Sequence, residues 1–206
     1  MKSHEVKSLI TSNNPIILDI GCHIGKDSVI MANNIPNSTI YSFEADPEVC
    51  NRFKQYVYVD NFTNTTCNIN LVETALSDEI GFVSFNRSNQ FKSGTLQKPT
   101  GHLRVHSGVT FEAISVPCTT LDNWYSNHLL GHVIDFIWSD VNGGEKKLIN
   151  GGIDTLNNHV KYIQLECINR ELWEGQIYQS DILSLLTNFE TIHYDNHDIL
   201  LKNKTL

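Results

Sequence analysis

The sequence lacks a long apolar segment and carries little positive charge. No apolar run approaches the roughly 20 residues that a membrane-spanning helix needs. The N-terminal segment MKSHEVKSLI contains no apolar core of a secretion signal. Lys and Arg total 15 against 23 Asp and Glu, a net charge of -8, whereas a nucleic-acid partner requires clustered cations. We therefore expect a cytoplasmic protein with no membrane span and no nucleic-acid partner.

Cysteine is scarce and irregularly spaced. The five cysteines are odd in number and form no C-x-x-C pair: Cys22, Cys50, Cys67, Cys118 and Cys167. This pattern predicts reduced thiols rather than a disulfide framework or a zinc site. A chain of 206 residues, 40% of them hydrophobic, predicts a single domain over residues 1–206 with a full core. The first predicted strand begins at residue 16, which suggests an open site or a module of a longer polypeptide.

The turn after the first predicted strand also lacks a glycine that one class of cofactor requires. Residues 16–18 are apolar and lead into D-x-G-x-x-x-G, from Asp19 to Gly25, before a predicted helix. A dinucleotide-binding turn has three glycines, G-x-G-x-x-G, but His23 stands near the middle position here. S-adenosylmethionine (SAM) has no phosphate, so this bulkier turn suits it. Among enzymes, the main alternative to a SAM-dependent protein is an NAD-dependent oxidoreductase. A further alternative is an ordinary strand–turn–helix whose glycines bind no cofactor.

A second predicted strand, residues 39–43, ends in Glu44. A carboxylate at that strand end can accept hydrogen bonds from both hydroxyls of a ribose. Asp19 can order the turn or meet the ammonium group of the cofactor. The residues predicted to bind SAM are Asp19, Gly21, Cys22, His23, Ile24, Gly25, Glu44, Ala45, Ala75, Leu76 and Asp140.

The rest of the chain alternates between strand and helix patterns. Strands are predicted at residues 65–72, 80–85, 112–118, 133–139 and 162–165, with a final hairpin from 189–194 and 199–202. Helices are predicted at residues 24–34, from Asp46 to about 56, after Thr119 or Thr120, from the 140–145 turn to about 156, and at 181–187. This alternation predicts an α/β doubly wound sheet with one antiparallel edge. The long polar stretch 86–110 is predicted to be a substrate-side lid.

Acidic residues follow four of the predicted strands. They are Asp19, Glu44, Asp140 and Glu166, with Glu145 one helical turn past Asp140. Ligands of parallel α/β sheets bind beyond the carboxyl ends of the strands. Each acidic residue alone could instead cap a helix.

The chain resembles the FkbM family of SAM-dependent O-methyltransferases over residues 16–166. The segments that carry the resemblance are LDIGCHIGKDSVIMA, YSFEADPE, TALSDEIGFVSF, SGTL, VPCTTLDNW, DFIWSDVNGGEKKLINGG and YIQLEC. The family usually has D-V-E-G-x-E where this chain has Asn142, and commonly Asn at position 23. The resemblance implies a Rossmann-like class I methyltransferase fold with a mostly parallel seven-stranded sheet, SAM as methyl donor, and a sugar or other small-molecule hydroxyl as acceptor.

A base near the bound methyl group is expected to take the acceptor's proton. Asp140 is the first candidate, and His102 or His106 of the lid is the second. Glu145 and Glu166 could orient the acceptor, and Trp173 could stack on a sugar ring. Asp140 and Glu166 could instead share a divalent cation such as Mg or Mn.

Other functions remain compatible with the sequence. A non-catalytic SAM-fold module inside a larger glycan-processing protein, or a methyltransferase for a non-sugar molecule, would share these motifs. Glycosyltransferases are the expected fusion or working partners. The acidic balance argues against an RNA acceptor, and the absence of N-P-P-Y argues against a nitrogen acceptor.

Overall fold

A computed structural model describes residues 1–62 and 66–206. The strands are β1 (Ile16–Ile20), β2 (Thr39–Glu44), β3 (Asn68–Glu73), β4 (Ala75–Leu76), β5 (Gly81–Ser88), β6 (Phe111–Thr119), β7 (Ile134–Ser139), β8 (Val160–Glu166), β9 (Phe189–Tyr194) and β10 (Asp198–Asn203). The α-helices are α1 (Lys26–Asn34), α2 (Pro47–Phe53), α3 (His102–Val105), α4 (Leu121–His128), α5 (Glu145–Asn150), α6 (Ile153–His159) and α7 (Gln179–Leu185). A 3-10 helix spans Ser3–Leu9, and a π-helix, Lys54–Asn61, continues α2.

Seven strands form a central sheet in the order β3-β2-β1-β7-β8-β10-β9. The pairs among β3, β2, β1, β7 and β8 are parallel, and β10 runs antiparallel to both of its neighbours. The predicted fold class, a mostly parallel sheet of seven strands with an antiparallel C-terminal strand, is confirmed. The carboxyl ends of β1, β2, β7 and β8 therefore lie along one edge of the sheet.

The apolar residues of the parallel strands lie between the two helical layers. Ile137 and Ile163 pack with α4, α5 and α6 on one face, whereas Ile17 and Phe136 pack with α1 and the π-helix on the other. Burial on both faces explains why β7 is almost continuously apolar in sequence. No helix in the described part of the chain is long and apolar enough to cross a membrane.

A smaller sheet, in the order β4-β6-β5, lies beside the central one. The two strands predicted at residues 80–85 and 112–118 pair with each other as an antiparallel ladder that matches Gly81 with Cys118. The ladder holds together the two ends of the chain segment between β5 and β6, because Ser88 pairs with Phe111.

Two predicted boundaries differ from the structure. The single helix expected to reach residue 156 is two helices, α5 and α6, separated by Gly151 and Gly152. A Cβ at Gly151 would collide with the carbonyl oxygen of Ser77, so close backbone packing explains this break. The third strand begins at Asn68 rather than at residue 65, and residue 65 itself lies outside the described residues.

Candidate active site

A cleft of about 700 Å³ opens at the carboxyl ends of β1, β2 and β7. We call it the main cavity, and its volume includes space that is open to solvent. Its walls include Ile20, Gly21, His23, Phe43, Glu44, Ala45, Asp46, Val49, Thr74, Ala75, Leu76, Phe85, Ser88, Phe91, Lys92, Gly94, Leu96, Asp140, Val141, Asn142 and Gly144. Seven of the residues predicted to bind SAM line this cavity: Gly21, His23, Glu44, Ala45, Ala75, Leu76 and Asp140.

Gly21 brings the turn after β1 against the end of β7. It has a φ of 80°, a conformation that favours glycine. A Cβ at this position would collide with the carbonyl oxygen of Asp140. The Asp140 N–H also donates to the Ile20 carbonyl oxygen at 2.9 Å. This close approach places Asp140 beside the glycine turn.

Glu44 is half-buried at the end of β2. Its Oε1 accepts the backbone N–H groups of Ala45 at 2.8 Å and Asp46 at 2.9 Å, and the N–H of His23 also donates to this carboxyl group. Burial raises the pKa of Glu44 to about 7 despite these donors. The carboxyl group is therefore held in a fixed position on the cavity wall.

A second cavity adjoins the main cavity and shares five of its lining residues. We call it the side cavity, and its walls are Asp19, Gly21, Cys22, His23, Lys26, Asp27, Lys92, Trp138, Asp140 and Asn142. Asp19 is buried and accepts a hydrogen bond from the hydroxyl of Ser28, and burial raises its pKa to about 7. Cys22 lines only this side cavity, whereas Gly25 faces the Phe53 and Val57 side chains. Ile24 is among the linings of neither cavity.

Asp140 and Glu166 form a carboxyl pair at the ends of β7 and β8. Enclosure by protein raises the pKa of both groups, and Glu166 donates a hydrogen bond to Asp140. The backbone N–H of Asn142 favours the ionised form of Asp140 and so lowers its pKa, and Asp140 lines both cavities. The two carboxyl groups therefore titrate as a coupled pair, and Asp140 is the member that lines both cavities.

Glu145 lies behind this pair, at the first position of α5. It is 3% exposed, and its Oε1 has no hydrogen-bond partner within the described residues. Burial raises the pKa of Glu145 to about 7, and the charge of Asp140 adds to this effect. Glu145 lines a small pocket together with Glu166 and Trp173, not the main cavity.

A family model described as the methyltransferase FkbM domain matches residues 19–195. The chain is also 34% identical over 219 residues to 2-O-methyltransferase NoeI of Sinorhizobium fredii (strain NBRC 101917 / NGR234), covering 100% of this chain and 87% of NoeI. The chain belongs to the FkbM methyltransferase family. It is accordingly a SAM-dependent methyltransferase.

Solved structures share the fold of this FkbM methyltransferase. A crystal structure of a methyltransferase FkbM from Methylobacillus flagellatus KT has a TM-score of 0.59 and 12% identity over 98% of this chain. The chain spans 48% of that longer protein. Aeropyrum pernix fibrillarin, solved with natively bound S-adenosyl-L-methionine, has a TM-score of 0.51 and 14% identity, covering 97% of this chain and 72% of fibrillarin. At these identities the likeness concerns the fold alone.

The two histidines of the predicted lid, His102 and His106, line neither cavity of the FkbM methyltransferase. His102 is 4% exposed and stacks on Trp173, with ring centroids 4.6 Å apart. His106 is exposed, and its ring is 4.7 Å from that of His102. Burial lowers the pKa of His102. The structure therefore separates these histidines from Asp140.

Trp173 is the centre of a stack that joins three loops. One side of the indole contacts His102, and a Cβ at Gly143 would collide with the ring. Trp173 is only 3% exposed. The indole is therefore packed within protein, rather than presented to a sugar ring as its sequence position suggested.

Sequence reasoning predicted a substrate-side lid at residues 86–110 but did not identify the residues of this segment that line the main cavity. Phe91, Lys92, Gly94 and Leu96 all line it. Arg87 also pairs with Asp46, with a 2.7 Å hydrogen bond from Nε to Oδ2. In the sequence, Phe91 and Lys92 stand out as an aromatic and a cationic residue within a polar stretch. Their position at the cavity, however, depends on the fold.

Neither Asp140 nor Glu166 belongs to a three-residue metal-binding group. Among residues 1–62 and 66–206, no group of three His, Cys, Asp or Glu side chains has the arrangement of a metal site. The carboxyl pair offers two oxygen-bearing groups, and water or an acceptor would have to complete the coordination of a cation.

Proposed function

We propose that this protein transfers a methyl group from SAM to a hydroxyl group of a sugar, in a glycan, a glycoconjugate or a sugar-bearing small molecule. The observation that carries the proposal is the Asp140–Glu166 pair, whose hydrogen-bond acceptor faces the cavity beside the glycine turn. The similarity to a protein named 2-O-methyltransferase supports a hydroxyl acceptor.

The residues of the main cavity fit SAM. Glu44 offers a carboxyl group for ribose hydroxyls, and Phe43, Leu76 and Leu96 offer apolar surface for an adenine ring. The lining includes only one Lys and no Arg, which suits a ligand without phosphate. When bound, SAM supplies a methyl group that is already activated toward a nucleophile.

Asp140 would act on the acceptor. A sugar hydroxyl is a weak nucleophile while it keeps its proton, and a carboxylate within hydrogen-bond reach can accept that proton. Glu166, by donating to Asp140, holds the Asp140 carboxylate in one orientation. Much of the remaining rate enhancement would come from alignment and from the exclusion of water by the walls of the main cavity.

The Asp140–Glu166 pair has a second candidate role, which is to bind a divalent cation such as Mg or Mn. A cation held by Asp140 and Glu166 would acidify the acceptor hydroxyl in place of direct proton transfer. The lack of a third side-chain ligand among the described residues favours the metal-free role. The protein would work in the cytoplasm beside glycosyltransferases, and residues 86–110 would serve as a lid within a single domain.

Methyl transfer from isotopically labelled SAM to free sugars, nucleotide sugars and oligosaccharides, with and without EDTA, tests the proposal. We expect a sugar product whose yield EDTA does not change. Asp140→Asn should keep affinity for S-adenosylhomocysteine (SAH) and reduce turnover by about 100-fold or more. Glu171→Gln, which makes the same chemical change at an exposed loop position, should leave turnover unchanged.

Three results would contradict the proposal. Unchanged turnover of Asp140→Asn would remove Asp140 as the base, and loss of product in EDTA would favour the cation. Binding of SAH without transfer to any acceptor would indicate a binding module. Binding of NAD in place of SAH would exclude the methyltransferase chemistry of this site.

A further inference from the structure

The segment after β5 is fixed in place by contacts of Phe91. This residue has a φ of 59°, a left-handed conformation that is costly for an aromatic residue. Its N–H donates to the Ser88 carbonyl oxygen at 2.9 Å, and its ring lies 3.9 Å from the guanidinium carbon of Arg52. The Phe91 carbonyl group lies close enough to the His23 imidazole to favour its charged form and so to raise its pKa. The following residue, Lys92, is therefore held next to the glycine turn.

Lys92 lies at the boundary between the two cavities. Its side chain lines both the main cavity and the side cavity, a property shared only with Gly21, His23, Asp140 and Asn142. The Lys92 ammonium has no ion pair or hydrogen bond to any residue that the structure describes. It is close enough to His23 that its charge, after burial, contributes to the lowered pKa of that imidazole.

The two cavities differ in charge. The main cavity has the larger share of apolar lining, although Asp46 and Asp140 line it as well as Glu44. The side cavity is mostly polar and is lined by Asp19, Asp27 and Asp140 and by Lys26 and Lys92. A ligand with an uncharged ring system at one end and a zwitterion at the other is complementary to this arrangement. SAM has this distribution, since its amino-acid end carries one carboxylate and one ammonium group. The acidic side chains are complementary to the ammonium group of SAM, so its carboxylate would pair with a basic side chain.

We infer that Lys92 binds the carboxylate of the amino-acid end of SAM and so selects cofactors that carry it. This inference rests on the proposed function, because it assumes that the adenosine part occupies the main cavity. Lys26 is the alternative cation, but it lines the side cavity alone. Lys92 reaches the boundary that a ligand must cross to occupy both cavities.

Calorimetric titration of Lys92→Met with four ligands tests the inference. SAM and SAH carry the carboxylate, decarboxylated SAM lacks only that group, and 5′-methylthioadenosine lacks the whole amino-acid end. We expect affinity for SAM and SAH to fall about fivefold, the upper range for a partly exposed ion pair. Affinity for the two ligands without a carboxylate should stay within about twofold.

Two lysine variants serve as controls. Lys98→Met changes another exposed lysine of the same segment that lines neither cavity, and Lys26→Met removes the alternative cation. Lys98→Met should bind SAH as the unaltered protein does, and Lys26→Met should bind SAH more tightly than Lys92→Met does. Equal losses for all four ligands in Lys92→Met would assign a structural role to Lys92, and no loss, or a loss confined to Lys26→Met, would refute the inference. If the unaltered protein binds neither SAH nor 5′-methylthioadenosine, the proposed function itself fails.

Discussion

Two opposing effects determine the pKa of Glu44. Backbone N–H groups of its own turn stabilise the ionised form, while enclosure by protein stabilises the neutral form, and the pKa settles at about 7. A ribose that donates two hydroxyl protons needs the ionised form. Cofactor affinity should therefore depend on the protonation of this single side chain.

We predict that affinity for SAH rises as the pH increases from 6 to 8. Glu44 is mostly protonated below its pKa of about 7 and mostly ionised above it, so the better acceptor accumulates as the pH rises. Glu44→Gln cannot ionise and should bind more weakly, with a flatter pH dependence, and Glu44→Ala should lose about tenfold or more in affinity. Calorimetry at three pH values measures this, and an identical pH profile for Glu44→Gln would contradict the ribose assignment.

Individual residues at strand ends were predictable because the topology of parallel sheets places them together. Asp19, Glu44, Asp140 and Glu166 follow apolar runs that can be recognised in the sequence, and they all lie at one edge of the central sheet. The exact neighbours were not predictable. The hydroxyl of Ser28 on Asp19 depends on how α1 packs, which no local pattern specifies.

At the scale of structural elements, contacts between loops contribute much of the shape of the site. The 98–102 segment bonds to the loop after β8, since the N–H groups of Thr100 and His102 donate to the Leu172 carbonyl oxygen at 3.0 and 3.1 Å. The Thr95 hydroxyl donates to the carbonyl oxygen of Asn142 at 2.7 Å. These contacts connect residues 86–110 to the loop after β8 and to the loop that carries Asp140.

Gly143→Ala should disturb this connection. Gly143 has a φ of 88°, and a Cβ there would enter the ring of Trp173. We expect a loss of about 2–4 kcal/mol in the free energy of unfolding, from backbone strain and overpacking together, and a clear drop in turnover. Denaturant titration and a methyl-transfer assay measure the two effects.

Gly175→Ala is the matched control for that variant. Gly175 also has a positive φ, 72°, and lies two residues from Trp173, but a Cβ there meets no atom within 4 Å. It should cost only the strain, about 1–2 kcal/mol, and leave turnover largely intact. Equal effects of the two substitutions would show that packing on the indole does not position the catalytic loop.

The elements themselves were predictable to different degrees. The cap at Asp46, which accepts the Glu48 N–H at 2.9 Å, and the central strands follow from local sequence. The break between α5 and α6 and the separate small sheet do not, because both arise from contacts with distant parts of the chain. The same reason explains why the cavity-lining role of Phe91 was missed.

At the scale of the whole molecule, the protein encloses an unusual number of carboxyl groups. Burial raises the pKa of Asp19, Glu44 and Glu145 to about 7, and those of Asp140 and Glu166 are also raised. Carboxyl groups of an unfolded chain titrate near pH ~4. Above that pH the folded protein therefore binds more protons than the unfolded chain, so its stability decreases as pH rises.

We predict that the melting temperature falls by about 5 °C or more between pH ~5 and pH ~8. The stabilisation is present below the unfolded pKa and is lost as pH rises through the folded values near 7. Glu145→Gln should flatten this slope, whereas Glu112→Gln, at an exposed position in β6, should not. Scanning calorimetry over this range measures the slope, and a constant or rising melting temperature would contradict the prediction.

The close packing at Gly101 limits which residues can be varied when the acceptor range of this enzyme is redesigned. A Cβ there would collide with the carbonyl oxygen of Glu171, so libraries that randomise residues 98–102 would yield mainly misfolded clones. Residues 103–108 are exposed throughout, and Gly108 has open space around it. Substitutions at residues 103–108 would alter which molecules approach the enzyme without disturbing the contact between Gly101 and Glu171.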